Sequence, residues 1–103
     1  MTEEHLEAKR KVIEGLSLLV DGLLDDALLF SESLKVGKKH EGYEIIERAV
    51  LCNLEIAREL LDKKDYKIYI REDPKIKKLR DRYELICNEL KLAYGLNIDA
   101  LKT

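Results

Sequence analysis

The chain has 103 residues, enough for one domain with its own hydrophobic core, and we predict a single domain spanning residues 1–103. One proline and five glycines are too few for the turns of a β-sandwich or barrel, so the composition favours an all-α fold. The net charge of −2 argues against a dedicated nucleic-acid binder. Charged residues make up 39% of the chain, against about 25% in an average domain, a composition typical of thermophilic proteins.

The sequence also predicts a soluble, cytoplasmic protein that does not interact with membranes. Residues 1–10 are charged from the outset and do not resemble a signal peptide. The apolar run 16–30 is too short to span a bilayer and contains three aspartates. Cys52 and Cys87 lie in apolar helical pattern without metal-ligand spacing, which favours buried thiols in a reducing compartment. A disulfide joining two helices is the alternative.

The first predicted element is a long helix over residues 3–35. Its apolar residues follow a heptad repeat, in which one position recurs every seven residues and a second follows three places behind. These seam positions are Leu6, Ile13, Val20, Ala27 and Leu34, and then Leu16, Leu23 and Phe30. Gly22 permits a kink that would divide the helix into two, but the register continues across it and favours one bent helix.

A second helix is predicted over residues 41–64. Its seam consists of Tyr43, Ile46, Val50, Asn53, Ala57 and Leu60. Asn53 occupies a position that normally carries an apolar side chain, so its amide either fixes the register or lies at a wet edge. The following segment, 65–73, alternates apolar and polar residues like a strand, but no second strand is available to pair with it. We therefore predict an extended connector.

The third helix, over residues 74–94, has the clearest boundaries. Asp73 is a strong N-cap residue, Pro74 suits the first helical position, and Gly95 supplies a stop. Its seam consists of Ile76, Leu79, Tyr83, Ile86 and Leu90. In the tail 96–103, Leu96, Ile98 and Leu101 can fold back onto the helices. Together these elements predict an antiparallel bundle of three long helices, or four if the first helix is broken.

The first helix carries acidic and apolar residues on nearly all its sides. Glu14, Asp21, Asp25 and Glu32 project to one narrow sector, opposite the seam. Leucines flank this stripe, and a helix that is apolar on several sides needs more neighbours than a three-helix monomer provides. We therefore predict a homodimer whose interface includes Leu18, Leu24, Leu28 and Leu29. Coverage of these leucines by the connector and the tail is the alternative.

Charge is divided along the chain, with five acids and no base in residues 12–34 and an excess of bases in residues 63–82. The predicted basic patch consists of Lys64, Lys67, Arg71, Lys77, Lys78 and Arg80. It can face the acidic stripe, within the subunit or across a dimer, or present a basic surface to an acidic protein partner. Weak binding of RNA or single-stranded DNA is a further alternative, since Tyr66 and Tyr69 alternate with basic residues.

Two carboxylate pairs on the second helix, Glu44/Glu47 and Glu59/Asp62, have the i, i+3 spacing that can bind Mg²⁺ together with a substrate phosphate. They resemble the ExxE and ExxD pairs of all-helical nucleotide pyrophosphohydrolases of the MazG type, and that resemblance implies a Mg²⁺-dependent nucleotide hydrolase. In that family, however, the pairs lie on separate helices that face a shared pocket, whereas here one helix carries both.

The function we favour from the sequence is a non-catalytic, homodimeric module for protein–protein interaction. Neither of the two histidines, His5 and His40, lies at ligand spacing from a cysteine or from the other histidine. The sequence contains no recognisable phosphate-binding glycine loop and no nucleophile paired with a base. We therefore predict no catalytic residue, no metal ligand and no cofactor.

Overall fold

A computed structural model describes residues 3–62 and 68–98, and within these ranges all regular structure is helical. Three long helices dominate the chain, as the sequence predicts. The elements are α1 (Glu3–Ser31), a 3₁₀ helix (Glu32–Val36), α2 (Tyr43–Leu61), α3 (Ile68–Arg71) and α4 (Pro74–Tyr94).

The first helix, α1, continues through Gly22 without a break. The predicted end at residue 35 falls within the 3₁₀ helix that follows α1 directly. Gly37 then adopts a φ of 90°, a left-handed value that disfavours other residues. The choice of one helix over two is therefore confirmed.

The buried side of α1 follows only part of the predicted heptad: Ile13, Leu16, Val20, Ala27 and Leu34 are buried, whereas Leu6 is 52% exposed. Leu24 and Ser31 are buried in place of the predicted Leu23 and Phe30, which lie one position earlier; Leu23 is partly buried and Phe30 is 41% exposed. A straight helix has 3.6 residues per turn rather than 3.5, so its core side drifts by about 20° per heptad. Buried Ser31 donates its hydroxyl hydrogen to the carbonyl oxygen of Leu28 at 2.6 Å.

The second helix, α2, is shorter than the predicted range 41–64. It begins after Gly42, whose φ of 97° is left-handed, and it ends at Leu61. Leu54 and Leu61 are fully buried, whereas the predicted seam residues Asn53 and Leu60 are only partly buried. The core side of α2 therefore drifts in the same way. Asn53 lies at the edge of the core with its Nδ2 atom buried.

The predicted extended connector 65–73 is wrong over Ile68–Arg71, which forms the single helical turn α3. Residues 63–67 lie outside the described ranges. A lone strand would leave its backbone groups without a ladder partner, whereas a helical turn bonds its own backbone. Asp73 N–H accordingly donates to the carbonyl oxygen of Ile70, and Ile70 is buried.

The last long helix, α4, has the predicted boundaries and the predicted seam. The Asp73 carboxylate accepts a hydrogen bond from Lys75 N–H at 2.9 Å, Pro74 follows the cap, and Gly95 ends the helix with a φ of 65°. All five seam residues are buried, as is Cys87. In the tail, Leu96 and Ile98 are buried as predicted, and Leu101 lies outside the described ranges.

The three long helices contact one another pairwise and share one hydrophobic core. The protein is elongated, with dimensions of 57 × 22 × 18 Å. Over residues 3–62 and 68–98, none of the helices combines the length and apolar character needed to cross a membrane.

Candidate functional site

The four leucines predicted to form an oligomer surface lie in three different environments. Leu18 and Leu29 are 76% and 66% exposed, Leu28 is partly buried against the core, and Leu24 is 0% exposed. The prediction that Leu24 belongs to an exposed interface is wrong, because its side chain lies on the core side of α1. Leu18 and Leu29 remain candidates for contact with another molecule.

A second exposed apolar stripe on α1 was missed by sequence reasoning. Val12, Leu19 and Phe30 are 46%, 60% and 41% exposed. They are seven and eleven residues apart, close to two and three helical turns, so they share one side of α1. Asp26 projects to the same side. The spacing was visible in the sequence, but Phe30 had been assigned to the core seam.

An equivalent stripe runs along α2. Ile45 is 75% exposed, Ile56 is 40% exposed, and Cys52 between them is also exposed. Cys52 and Ile56 follow Ile45 by seven and eleven residues, which places all three on one side of the helix. Both cysteines are free thiols, so the predicted burial holds for Cys87 and is wrong for Cys52.

The two residues at the centre of the acidic stripe of α1, Asp21 and Asp25, form ion pairs with α4. Arg82 donates from Nη1 to Asp21 Oδ1 at 2.7 Å and from Nη2 to Asp25 Oδ1. The hydrogen bond to Asp25 is the main cause that raises the pKa of Arg82. Glu32 pairs instead with Lys35 on the 3₁₀ helix. The acidic and basic segments thus meet within one subunit, the first of the two predicted arrangements.

Two residues of the predicted basic patch, Arg80 and Lys77, are engaged in contacts with other described residues. Arg80 ends α2 by donating from Nη2 to the Leu61 carbonyl oxygen at 2.8 Å, and its Nε lies 3.5 Å from Asp62 Oδ1. Lys77 pairs with Glu72 at 2.9 Å. Arg71 and Lys78 are exposed, while Lys64 and Lys67 lie outside the described ranges.

The exposed stripes of α1 and α2 lie on the sides turned away from α4. In projection down α1, buried Val20 separates the stripe from the two aspartates that bind Arg82. On α2, buried Val50 separates the stripe from Arg58, which lines a cleft with Arg80 of α4. We call the exposed large side chains of these two stripes the outer apolar face: Val12, Leu19, Phe30, Ile45 and Ile56.

The cleft between α2 and α4 is lined by side chains of both charges, Arg58 and Arg80 with Asp62 and Glu84. Tyr83 forms part of its wall and is 4% exposed. Burial raises the pKa of Tyr83, so its phenol stays protonated at neutral pH and is unsuited to act as a base.

Both carboxylate pairs considered for Mg²⁺ binding lie on α2 or at its end. No group of three or more His, Cys, Asp or Glu side chains placed to share a metal ion occurs within residues 3–62 and 68–98. Nucleotide hydrolysis and nucleic-acid binding both stay predictions, and no contact in the described residues favours either.

Comparisons with models of protein families, with curated proteins and with solved structures found no match to this chain.

Proposed function

We propose that this protein is a non-catalytic interaction module that forms a homodimer through the outer apolar face. The observation that carries the proposal is that five large apolar side chains on two helices that pack together are 40% to 75% exposed. Helical projection places both stripes on the sides of α1 and α2 that are turned away from α4. Soluble monomers rarely leave a continuous apolar patch of this kind uncovered, and such patches mark interaction sites.

A second copy of the chain is the partner that best fits this surface. Stripes on two neighbouring helices form a two-helix face, which another two-helix face can cover by helix-on-helix packing. A twofold interface uses the same patch on both subunits, so the patch needs no partner of opposite charge. The large apolar side chains of the two stripes are uncharged, and acidic residues lie beside them, Asp26 on α1 and Glu59 on α2.

The proposal includes the antiparallel bundle and the cytoplasmic location that the sequence predicts. The loop 37–42 is short enough to return α2 along α1. Arg80 of α4 contacts the C-terminal end of α2, which fits a second reversal of chain direction before α4.

Light scattering behind a size-exclusion column tests the proposal directly. We expect twice the chain mass of 12.0 kDa at low and at high salt, because apolar contacts are not screened by ions. Leu19→Lys and Ile56→Lys should each weaken dimerisation by about tenfold or more, since each places a charge within the interface.

Leu92→Lys is the matched control, because Leu92 is 87% exposed and lies on α4. It should leave the dimer intact. Leu18→Lys distinguishes the outer apolar face from the other exposed side of α1. A monomeric parent protein would contradict the proposal, and loss of the dimer in Leu18→Lys alone would move the interface to that other side.

The exposed thiol of Cys52 provides an independent probe within the α2 stripe. If a second copy covers this stripe, the rate of Cys52 modification by a thiol reagent should fall as protein concentration rises. Cys87, which is 4% exposed, is the slow internal reference. A Cys52 rate that does not change across the dimerisation range would contradict coverage of the α2 stripe.

A further inference from the structure

The two stripes of the outer apolar face carry large side chains at the same spacing. Leu19 and Phe30 are 11 residues apart on α1, and Ile45 and Ile56 are 11 residues apart on α2. Eleven residues make close to three helical turns and rise about 16 Å, so both members of one pair point to the same side of their helix. Each pair can therefore contact the other pair at both ends.

An acid beside the α1 stripe and a base beside the α2 stripe occupy matching positions. Asp26 precedes Phe30 by four residues, and Arg48 follows Ile45 by three. Both charged side chains are exposed, and neither makes an ion pair with a residue of the ranges 3–62 and 68–98. We infer that α1 of one copy packs antiparallel on α2 of the other, with Asp26 paired to Arg48 of the second copy. The inference rests on the proposed homodimer and adds the pairing of its helices.

The direction of the pairing follows from the two charges. When the helices run antiparallel with the ends of the stripes in contact, Asp26 lies within about one residue of Arg48 along the helix axis. Helical projection also places both charges on the same edge of the contact. In a parallel pairing they would lie four residues apart and on opposite edges. Charge complementarity therefore selects the antiparallel arrangement.

Pairing α1 with its own copy would bring like charges together. If Leu19 of one α1 met Phe30 of the other, the two Asp26 carboxylates would lie three residues apart on one edge, which opposes the contact. Pairing α1 with α2 replaces this repulsion by two ion pairs. Glu59, the acid beside the α2 stripe, then falls opposite Gly15 and meets no acidic side chain at that position.

A twofold axis parallel to the helices generates the contact twice, because α1 of each copy faces α2 of the other. This symmetry needs α1 and α2 to run antiparallel within the chain, the order that the proposed function includes. Exposed ion pairs contribute little affinity, so the apolar side chains hold the two copies together and the ion pairs fix their orientation.

Disulfide formation between two different variants tests the pairing. In a Cys52→Ser background, the Leu19→Cys protein is mixed with ¹⁵N-labelled Ile56→Cys protein in a glutathione redox buffer, and mass spectrometry measures the mixed cross-link. We expect this cross-link to dominate, because antiparallel pairing makes the two positions neighbours across the interface. Mixing two variants ensures that the measured disulfide joins two copies of the chain.

Leu19→Cys mixed with Ile45→Cys is the matched control. Position 45 lies about 16 Å from position 19 of the second copy in the antiparallel pairing, too far for a disulfide. A dominant cross-link between positions 19 and 45 would reverse the direction of the helices and overturn the inference. A dominant cross-link of position 19 to itself would place α1 on α1 and would also overturn it.

Light scattering of the parent protein separates this inference from the proposed function. A dimer whose positions 19 and 56 do not cross-link would overturn the pairing and leave the homodimer standing. A monomeric parent protein would overturn both.

Charge reversal tests the ion pair. Asp26→Arg should weaken dimerisation by about three- to tenfold, because it turns two attractive pairs into repulsive ones. Adding Arg48→Asp should recover most of this loss. Glu89→Arg makes the same change of charge at an exposed position of α4 and should leave the dimer unchanged. A double variant that dimerises no better than Asp26→Arg would show that the two residues do not face each other.

Discussion

The long helices α1 and α4 differ in how they use their apolar residues. In α4 the buried residues form one seam, with a polar cap at the start and a glycine at the end, and two large apolar side chains, Leu85 and Leu92, are exposed. In α1 apolar side chains occur nearly all round, and eight large ones that the core does not fully cover are accessible to different degrees: Leu6, Val12, Leu18, Leu19, Leu23, Leu28, Leu29 and Phe30. The larger number of accessible apolar side chains on α1 is the reason that we place the proposed dimer contact on α1 rather than on α4.

The two sides of α1 outside the core also differ from each other. Towards α4, Asp21 and Asp25 hold Arg82. Away from α4, Val12 and Leu19 are exposed. The polar side of α1 is used for ion pairs within the chain, and the apolar side is the one on which we place the proposed second copy of the chain.

The largest expected effect comes from the core side of α1. Leu24→Ala removes a side chain that is 0% exposed, and it should lower the free energy of unfolding by about 2–5 kcal/mol through lost burial and a cavity. Leu18→Ala, at a position 76% exposed, should change it by about 0.5 kcal/mol or less. Urea denaturation measures both variants. Equal losses would mean that the two leucines are equally buried in solution.

An intermediate effect is expected at glycines, where the two helices should respond in opposite directions. Gly95 ends α4 with a φ of 65°, so Gly95→Ala forces a left-handed alanine and should lower stability by about 1 kcal/mol. Gly22 lies inside α1, and a Cβ added there meets no atom within 4 Å. Gly22→Ala should therefore raise stability by up to about 1 kcal/mol.

Thermal unfolding measures this pair of variants, since a change of 1 kcal/mol shifts the Tm of a domain of this size by about 4–8 °C. A higher Tm for Gly95→Ala would contradict the left-handed end of α4. A lower Tm for Gly22→Ala would show that another chain approaches Gly22 closely.

The smallest expected effect concerns the exposed ion pair at the start of α4. The hydrogen bond from Lys77 is the main cause that lowers the pKa of Glu72. Lys77→Met should therefore return that pKa towards its ordinary value, as measured by NMR titration of the carboxyl group. Lys39→Met removes the same charge elsewhere and should leave the pKa of Glu72 unchanged.

The direction of the pH effect follows from the lowered pKa of Glu72. The ion pair of Glu72 with Lys77 contributes stability above the ordinary pKa of glutamate. This contribution is lost as the pH falls through the lowered pKa of Glu72. The parent protein and Lys77→Met should therefore differ slightly in stability at neutral pH and converge in acid. A difference that grows as the pH falls would contradict the pairing.

Much of the fold was predictable because its signals are local. Asp73, Pro74 and Gly95 set the ends of α4 through their own backbone preferences, and α1 remained unbroken because the cost of Gly22 is small. The turn α3 was missed because its alternating residues suit a strand, while the absence of a partner strand prevents one.

The sequence revealed only parts of the candidate sites. It identified the acidic and basic segments, but not that Arg82 joins them or that Arg80 caps α2. It identified α1 as apolar on several sides, but placed Leu24 on the surface and overlooked Val12 and Leu19. Both errors concern different sides of α1 that carry equally apolar residues, so hydropathy alone does not show which side faces the core.

The sequence by itself determined that this chain forms long helices, where the last of them begins and ends, and that the first has more apolar surface than one core can bury. Only the tertiary structure decided which side of α1 faces the core, because that choice depends on the cumulative drift of 3.6 residues per turn and on which helix packs beside it. The same packing decided which charges neutralise each other and left the outer apolar face exposed.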